Sequence, residues 1–376
     1  MVIKKKRRLS KKGRLVISFV CALIVLGGAF FGFQKWEEHQ FLTLGYSKEA
    51  YREIKSENLK DYVKNVGENK TLNICLESAD FKKENVDSYV KINYQDQSRF
   101  VTHVNSLLDL GYTVDDINLI LARGSDDDVE AFLAHEKVDD VSTYLTFDFA
   151  KLNYWDRYEA YQREELTTDE KTVVYVNIGL DKEFYTDYQV IHDYSVIVLA
   201  NKYNQLSREY VPDDLVSIPE EYCLNEDQKM VEEARDAFVE MAKKAEEDGL
   251  TLRIRSSYRT YEQQEAIYND YLENYGQARA DSIAARPGFS EHQTGLVIDI
   301  ATSQTSVFSS TEEYQWMKNN AHLYGFIQRY PEGKSDVTGY NNEAWHYRYL
   351  GVDLATKVHD SGLTYDEYYV MYLDQQ

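Results

Sequence analysis

Two histidines and two carboxylates in the C-terminal part of the chain carry its sharpest chemistry. The first pair lies in SEHQTGLVID, residues 290–299, where His292 precedes a glycine and Asp299 follows a short apolar run. The second lies in EAWHYRYLG, residues 343–351, which holds Glu343 and His346. Taken alone, His292 and Asp299 read first as a surface histidine and a carboxylate held by a cap or a buried ion pair. Gly295 and the run LVIDIA favour a strand, with Leu296 and Ile298 on one face and Val297 and Asp299 on the other. An isolated carboxylate among apolar neighbours is costly unless a cation or a charged partner offsets it.

The second segment changes the balance. A catalytic zinc takes three protein ligands from histidines and carboxylates and leaves one position for water. The metal lowers the pKa of that water towards 7, and an adjacent glutamate can take its proton. His292, Asp299 and His346 supply such a ligand set, and Glu343 supplies the base. Glu343 and His346 share a side only if the backbone turns between them, because a straight strand sends them to opposite faces.

These residues need a frame. Asn225 reads as the cap of a helix from about Glu226 to Asp248, with Met230, Ala234, Ala237, Phe238, Met241 and Ala245 as its apolar stripe and Gly249 as its end. LTLRIRS alternates as a half-buried strand should, and it delivers SSYR, residues 256–259, at its C-terminal end. Thr260 with Gln263 forms a capping box for YEQQEAIYNDYLENY, and Ser310 with Glu313 opens another helix ending near Gly325. Helices mixed with short strands define an α+β domain with a small antiparallel sheet and flanking helices.

The order S-x-Y-R, then S-x-H-x-x-G-x-x-x-D, then E-x-W-H resembles the VanY-type D-alanyl-D-alanine carboxypeptidases. These belong to a zinc peptidase group that includes the VanX dipeptidases and is similar to the lysostaphin and hedgehog folds. The resemblance covers roughly residues 225–352. It implies zinc ligands at His292, Asp299 and His346, a general base at Glu343, and substrate contacts at Arg259, Gln264, Ser290 and Trp345. Arg259 corresponds to the family arginine near the scissile carbonyl and the substrate carboxylate, a bidentate task suited to a guanidinium. Ala344 stands where many members carry proline, which implies a change in loop stiffness and not in the ligand set.

The rest of the chain bounds where this chemistry takes place. The 376 residues carry a net charge of −22, yet the first fourteen hold eight Lys/Arg and no acid, leaving about −30 on the remainder. Phosphate backbones repel so acidic a surface, which argues against a nucleic-acid partner. Leu15 to Phe33 contains no charge, and its nineteen residues would rise roughly 28 Å as a helix, near the thickness of a bilayer core. The basic cluster before it implies a cytoplasmic N-terminus and an extracellular C-terminal bulk. A cleaved signal peptide is the other reading, although the run is long for one and no clear A-x-A site follows.

The expected layout is a basic tail at 1–14, a transmembrane anchor at 15–35, a mixed, partly helical extracellular domain at 36–211, a linker at 212–224 around Pro212 and Pro219, and the catalytic domain at 225–376. In the N-terminal half, LGYSKEAYREI (44–54) and LGYTVDDINLI (110–120) form a weak repeat of capped helices. TVVYVNIGL and YSVIVLANKY read as strands, and the acidic run 126–128 as a solvated loop. Cys75 and Cys223 lack C-x-x-C spacing and read as free thiols in preference to a bridge. His39, His103, His135, His192, His322 and His359 have no metal-type neighbours and read as packing or surface residues.

The sequence therefore predicts a membrane-anchored zinc D,D-carboxypeptidase that trims terminal D-alanine from peptidoglycan stem peptides. Two rivals stay open: an L,D-carboxypeptidase or endopeptidase on the same peptides, and a catalytically silent, zinc-stabilised wall-binding module.

Overall fold

The computed structural model describes residues 11–302 and 307–374. Contacts divide the chain into one unit ending at Thr146, which includes Lys151–Asn153, and a second comprising Phe147–Ala150 and Tyr154 onward. That division differs from the expected boundary at 212–224. Val198, Ala200, Leu206, Ile218 and Tyr222 are buried in the same core as Phe238 and Ile298, so the two prolines lie within a packed unit and not in a linker.

Every regular element described in the first unit is helical. Its first helix, Lys11–Thr43, contains a stretch, Phe19–Thr43, long and apolar enough to cross a membrane, with mean hydropathy 1.6. Most of the basic tail expected at 1–14 lies outside the described residues. The two Leu-Gly-Tyr segments open helices as their sequences require. Ser47 caps Lys48–Ser56, and Thr113 caps Val114–Ala122 with a full capping box. The acidic run 126–128 is no loop. It forms the first turn of Asp126–Phe132, where carboxylates complement the free N–H groups of the helix start, and Ser125 caps it.

In the second unit a four-stranded antiparallel sheet holds the site. Its strands are β1 (Arg253–Ser256), β2 (Val297–Ala301), β3 (Phe326–Tyr330) and β4 (Glu343–Tyr349), in the order β1-β2-β4-β3. Alternation divides β2 as its sequence predicts. Leu296, Ile298 and Ile300 enter a core with Phe238, Met241, Ala245, Ile254, Met317 and Tyr347, while Asp299 points to the other face. Burying each large apolar side chain in that core contributes about 1.5–3 kcal/mol, and this fixes the register that aims the polar face.

Several local expectations give way to tertiary packing. The helix expected from Glu226 begins at Glu232, because Lys229–Val231 pairs with Leu215–Ser217 as a strand; Asn225 instead donates to the Arg255 carbonyl. TVVYVNIGL forms most of the helix Asp169–Ile178, capped by Thr168 and buried at Val173, Val174, Val176 and Ile178. Burial around that helix overrides its β-branched composition. YSVIVLANKY forms no regular strand, although Val198, Leu199 and Ala200 are buried. The helix Glu312–Asn320 is capped by Thr311, one residue after the expected Ser310. Cys75 and Cys223 are free thiols.

Candidate metal centre

Sheet register builds the centre. Asp299 on β2 pairs directly with His346 on β4, so neighbouring strands present both side chains side by side. His292 arrives from the short helical turn Glu291–Thr294, which Ser290 caps and Gly295 ends in the left-handed region at φ +69°. The Arg259 amide bonds to the His292 carbonyl at 3.1 Å, tying SSYR to this turn. As a result His292 Nε2 lies 3.4 Å from Asp299 Oδ1, and His346 Nδ1 lies 3.1 Å from the same oxygen. One donor atom from each of the three residues lies within 4.8 Å of the others.

Both imidazoles have one nitrogen committed away from this cluster. His292 Nδ1 is 2.6 Å from the Ser257 carbonyl, an acceptor that fixes Nδ1 as the protonated nitrogen and leaves the Nε2 lone pair inward. His346 Nε2 lies 3.4 Å from Glu291 Oε2, which leaves Nδ1 inward. Tautomers fixed from behind in this way are what histidine ligands of a metal require. The donor set, two imidazole nitrogens and one carboxylate oxygen, fits zinc.

Glu343 reaches the cluster through an irregularity in the sheet. Gln328 pairs with Tyr347 and Tyr330 pairs with Glu343, so two steps along β3 match four along β4. The extra residues turn the strand, and Glu343 Oε2 comes within 3.8 Å of His346 Nδ1. Trp345 in the bulge is 39% exposed at the rim. Burial pushes the Glu343 carboxyl up to about 7, helped by Asp299 and opposed by His346 and Arg259.

Burial and the nearby Arg259 lower His292 to about 4. Burial also opposes a charge on His346, but its contacts with Asp299 and Glu291 prevail and raise it to about 9. Asp299 is held well below the carboxylate range, because the two histidines outweigh its burial.

A cavity of about 180 Å³ opens onto these groups, walled by Ile267, Tyr271, Ala284, Ala285, Tyr330 and Tyr340. Arg259 and Gln264 line it too, and Arg259 Nη1 donates to Gln264 Oε1 at 2.7 Å. Gln264 in turn donates to the Ala285 carbonyl at 2.7 Å. Arg259 Nε is buried with no partner. Ser290, also on the cavity wall, has its hydroxyl 3.4 Å from the His292 amide.

All eight residues singled out from the sequence thus line one cavity. What the sequence reading missed stands behind them. Glu291, inside the motif itself, is completely buried and accepts from Arg329 Nε at 2.9 Å and Arg348 Nη1 at 3.0 Å. Burial opposes its charge, yet Arg329 and Arg348 hold it well below the usual range. Arg348 follows His346 by two residues on one strand, a spacing that puts both on one face and offered a signal. Nothing local marked Ser257 or Arg329.

A buried cluster of two histidines and an aspartate, with a glutamate beside it and an arginine in the same cavity, has the donors and charges that a hydrolytic metal centre requires. Residues 227–352 match the family model VanY, D-alanyl-D-alanine carboxypeptidase. The chain is 35% identical over 228 residues to the putative carboxypeptidase YodJ of Bacillus subtilis (strain 168), covering 56% of this chain and 84% of that one. Among solved structures, it is similar to the LdcB LD-carboxypeptidase, with 36% identity, TM-score 0.46, and 50% of this chain and 92% of that chain covered. It is also similar to a VanY D,D-pentapeptidase from a VanB-type resistance cassette, solved in complex with Zn(II), with 33% identity, TM-score 0.41, and 47% and 99% covered. The chain belongs to the VanY family of zinc-dependent D-alanyl-D-alanine carboxypeptidases.

Proposed function

We propose that this protein is a membrane-anchored zinc D,D-carboxypeptidase that removes the terminal D-alanine from peptidoglycan stem peptides. The observation that carries the reading is the approach of Glu343 to within 3.8 Å of His346, beside the three-residue ligand cluster. A silent, structural metal site has no use for a carboxylate held there.

In this reading His292 Nε2, Asp299 Oδ1 and His346 Nδ1 hold the zinc. Bound there, zinc supplies a Lewis acid for the scissile carbonyl and acidifies water. Arg259 binds the terminal carboxylate of the peptide through its unpartnered Nε, while Gln264 fixes the guanidinium by its Nη1. The same cation lies near the oxyanion that forms at the carbonyl. Glu343 takes the proton of the attacking water and passes it to the leaving amine. The new C–O bond replaces the C–N bond, and free D-alanine departs. Burial raises the Glu343 carboxyl above its ordinary range, the direction that a group taking and returning a proton near neutrality needs. Trp345 and Ser290 border the substrate path. The apolar stretch Phe19–Thr43 and the basic residues before it support an anchor with the catalytic unit outside the membrane.

The test is D-alanine release by the full-length protein from a stem pentapeptide and from a tetrapeptide, with and without chelator. Chelator-sensitive release from the pentapeptide supports the D,D reading. Release from the tetrapeptide alone moves the assignment to L,D chemistry, the activity named for the similar LdcB structure. Zinc binding with no release from either peptide moves it to a binding module.

A further inference from the structure

Behind the candidate metal centre lies a chain of buried charges that leaves the family-matched segment. Glu291 Oε2 faces His346 Nε2, and Glu291 Oε1 accepts from both Arg329 Nε and Arg348 Nη1. The far side of the Arg329 guanidinium makes two bonds to Asp366, Nη1 to Oδ2 at 2.5 Å and Nη2 to Oδ1 at 3.1 Å. Side chains of Glu291, Arg329, Arg348 and Asp366 are 0–2% exposed. Asp366 lies on the short turn Tyr365–Tyr368, beyond the matched residues 227–352.

That turn is itself anchored. Thr364 and Glu367 form a capping box, and Lys334 pairs with Glu367 at 3.0 Å. The Tyr365 ring lies 5.7 Å from the Arg329 guanidinium and 5.5 Å from that of Arg348. Asn201 Nδ2 donates to Asp366 Oδ1 at 2.8 Å, giving that oxygen a second donor.

We propose that Asp366 is a positioning residue for the metal centre, acting on His346 through Arg329 and Glu291. Two guanidiniums and two carboxylates balance to zero net charge, which is the condition under which Glu291 is free to turn one oxygen towards His346. Without the Asp366 charge, the buried group carries a net positive charge facing a divalent cation. Arg329 then turns more fully onto Glu291 and draws its carboxylate from the imidazole. Buried ion pairs of this kind add little stability against an apolar replacement; what this network supplies is orientation. The proposal rests on the zinc reading given above.

The test uses the full-length protein and zinc itself. Zinc affinity is measured by competition with a chromophoric chelator, alongside the visible spectrum of the cobalt-substituted protein. Asp366→Asn keeps the shape and the acceptor oxygen while removing the charge. It should weaken zinc binding by about ten- to a hundredfold, the usual cost of losing an outer partner of a metal ligand, and alter the cobalt bands. At saturating zinc it should lower kcat while leaving KM unchanged, and Asp366→Glu should restore part of the affinity.

If Asp366→Asn fails to fold, Asp366→Glu, which keeps the charge but moves the carboxylate relative to the Arg329 fork, should fold with a measurable part of the same loss. Wild-type zinc affinity and cobalt spectrum in either folded variant overturn the relay. A wild-type chain that binds no zinc overturns the metal site and the relay with it, an outcome distinct from unchanged variants.

Discussion

Asp299 and His346 face each other across neighbouring antiparallel strands, 47 residues apart in sequence, with Oδ1 3.1 Å from Nδ1. Direct pairing means that a one-residue slip of either strand would send one of the two into the apolar core. The candidate metal centre is therefore held by the same register that buries Ile298 and Tyr347.

On the proposed mechanism, turnover depends on Glu343. Glu343→Gln should retain zinc at wild-type stoichiometry and lose about 10²- to 10⁴-fold in kcat, the usual size of a general-base contribution. Metal content and D-alanine release, measured on the same preparation, check this. Retained turnover would sink the mechanism.

Arg259 should govern recognition of the free terminus. Arg259→Met should cost about 1.5–3 kcal/mol in kcat/KM, the value of hydrogen bonds to a charged group. A stem peptide amidated at its C-terminus provides the control. It should be a poor substrate for the wild type, and Arg259→Met should no longer distinguish it from the free acid.

Gly295 should tolerate no side chain. Its φ of +69° is strained for any L-residue, and an added Cβ would lie 2.9 Å from Leu215 Cδ2 and 3.2 Å from Val231 Cγ2. Gly295→Ala should lower stability by about 1–2 kcal/mol from the backbone conformation alone, and more from the clash. Because this residue ends the turn that carries His292, thermal unfolding and zinc affinity should fall together.

The catalytic unit should need the segment before 212. A chain beginning at 147 should fold with native-like near-ultraviolet dichroism, because that unit has its own core. A chain beginning at 212 loses Val198, Ala200 and Leu206 from that core, and Arg348 loses the Val196 and Val198 carbonyls that accept its Nη2. Each buried apolar side chain lost costs about 1.5–3 kcal/mol, and the buried guanidinium adds to this. The shorter chain should be unfolded or aggregated; equal stability of the two would disprove the placement.

Local signals in the sequence carried the parts of the fold that local physics decides. Thr260 with Gln263 is a capping box in both sequence and structure, and the alternation of LVIDIA assigns Asp299 to the polar face. Where burial decides, the signals misled. The β-branched run before Gly179 is a helix because its surroundings bury it on several sides, and the acidic run at 126–128 forms the first turn of a helix where sequence composition suggested a loop. Two positions of the domain's prolines looked like a linker because chain direction, and not packing, is all that a proline reports.

The candidate site divides along the same line. Residue type and spacing singled out His292, Asp299, His346 and Glu343, because metal-type chemistry admits few donors, and the resemblance to the VanY family added Arg259. Only the tertiary structure decided that Glu343 and His346 share a side, since that depends on a bulge set by pairing with β3. It alone brought Ser257, Glu291, Arg329 and Asp366 behind the imidazoles. Orienting a ligand takes a hydrogen bond from any suitably placed polar atom, and sequence spacing carries no record of which distant atom the fold will bring there.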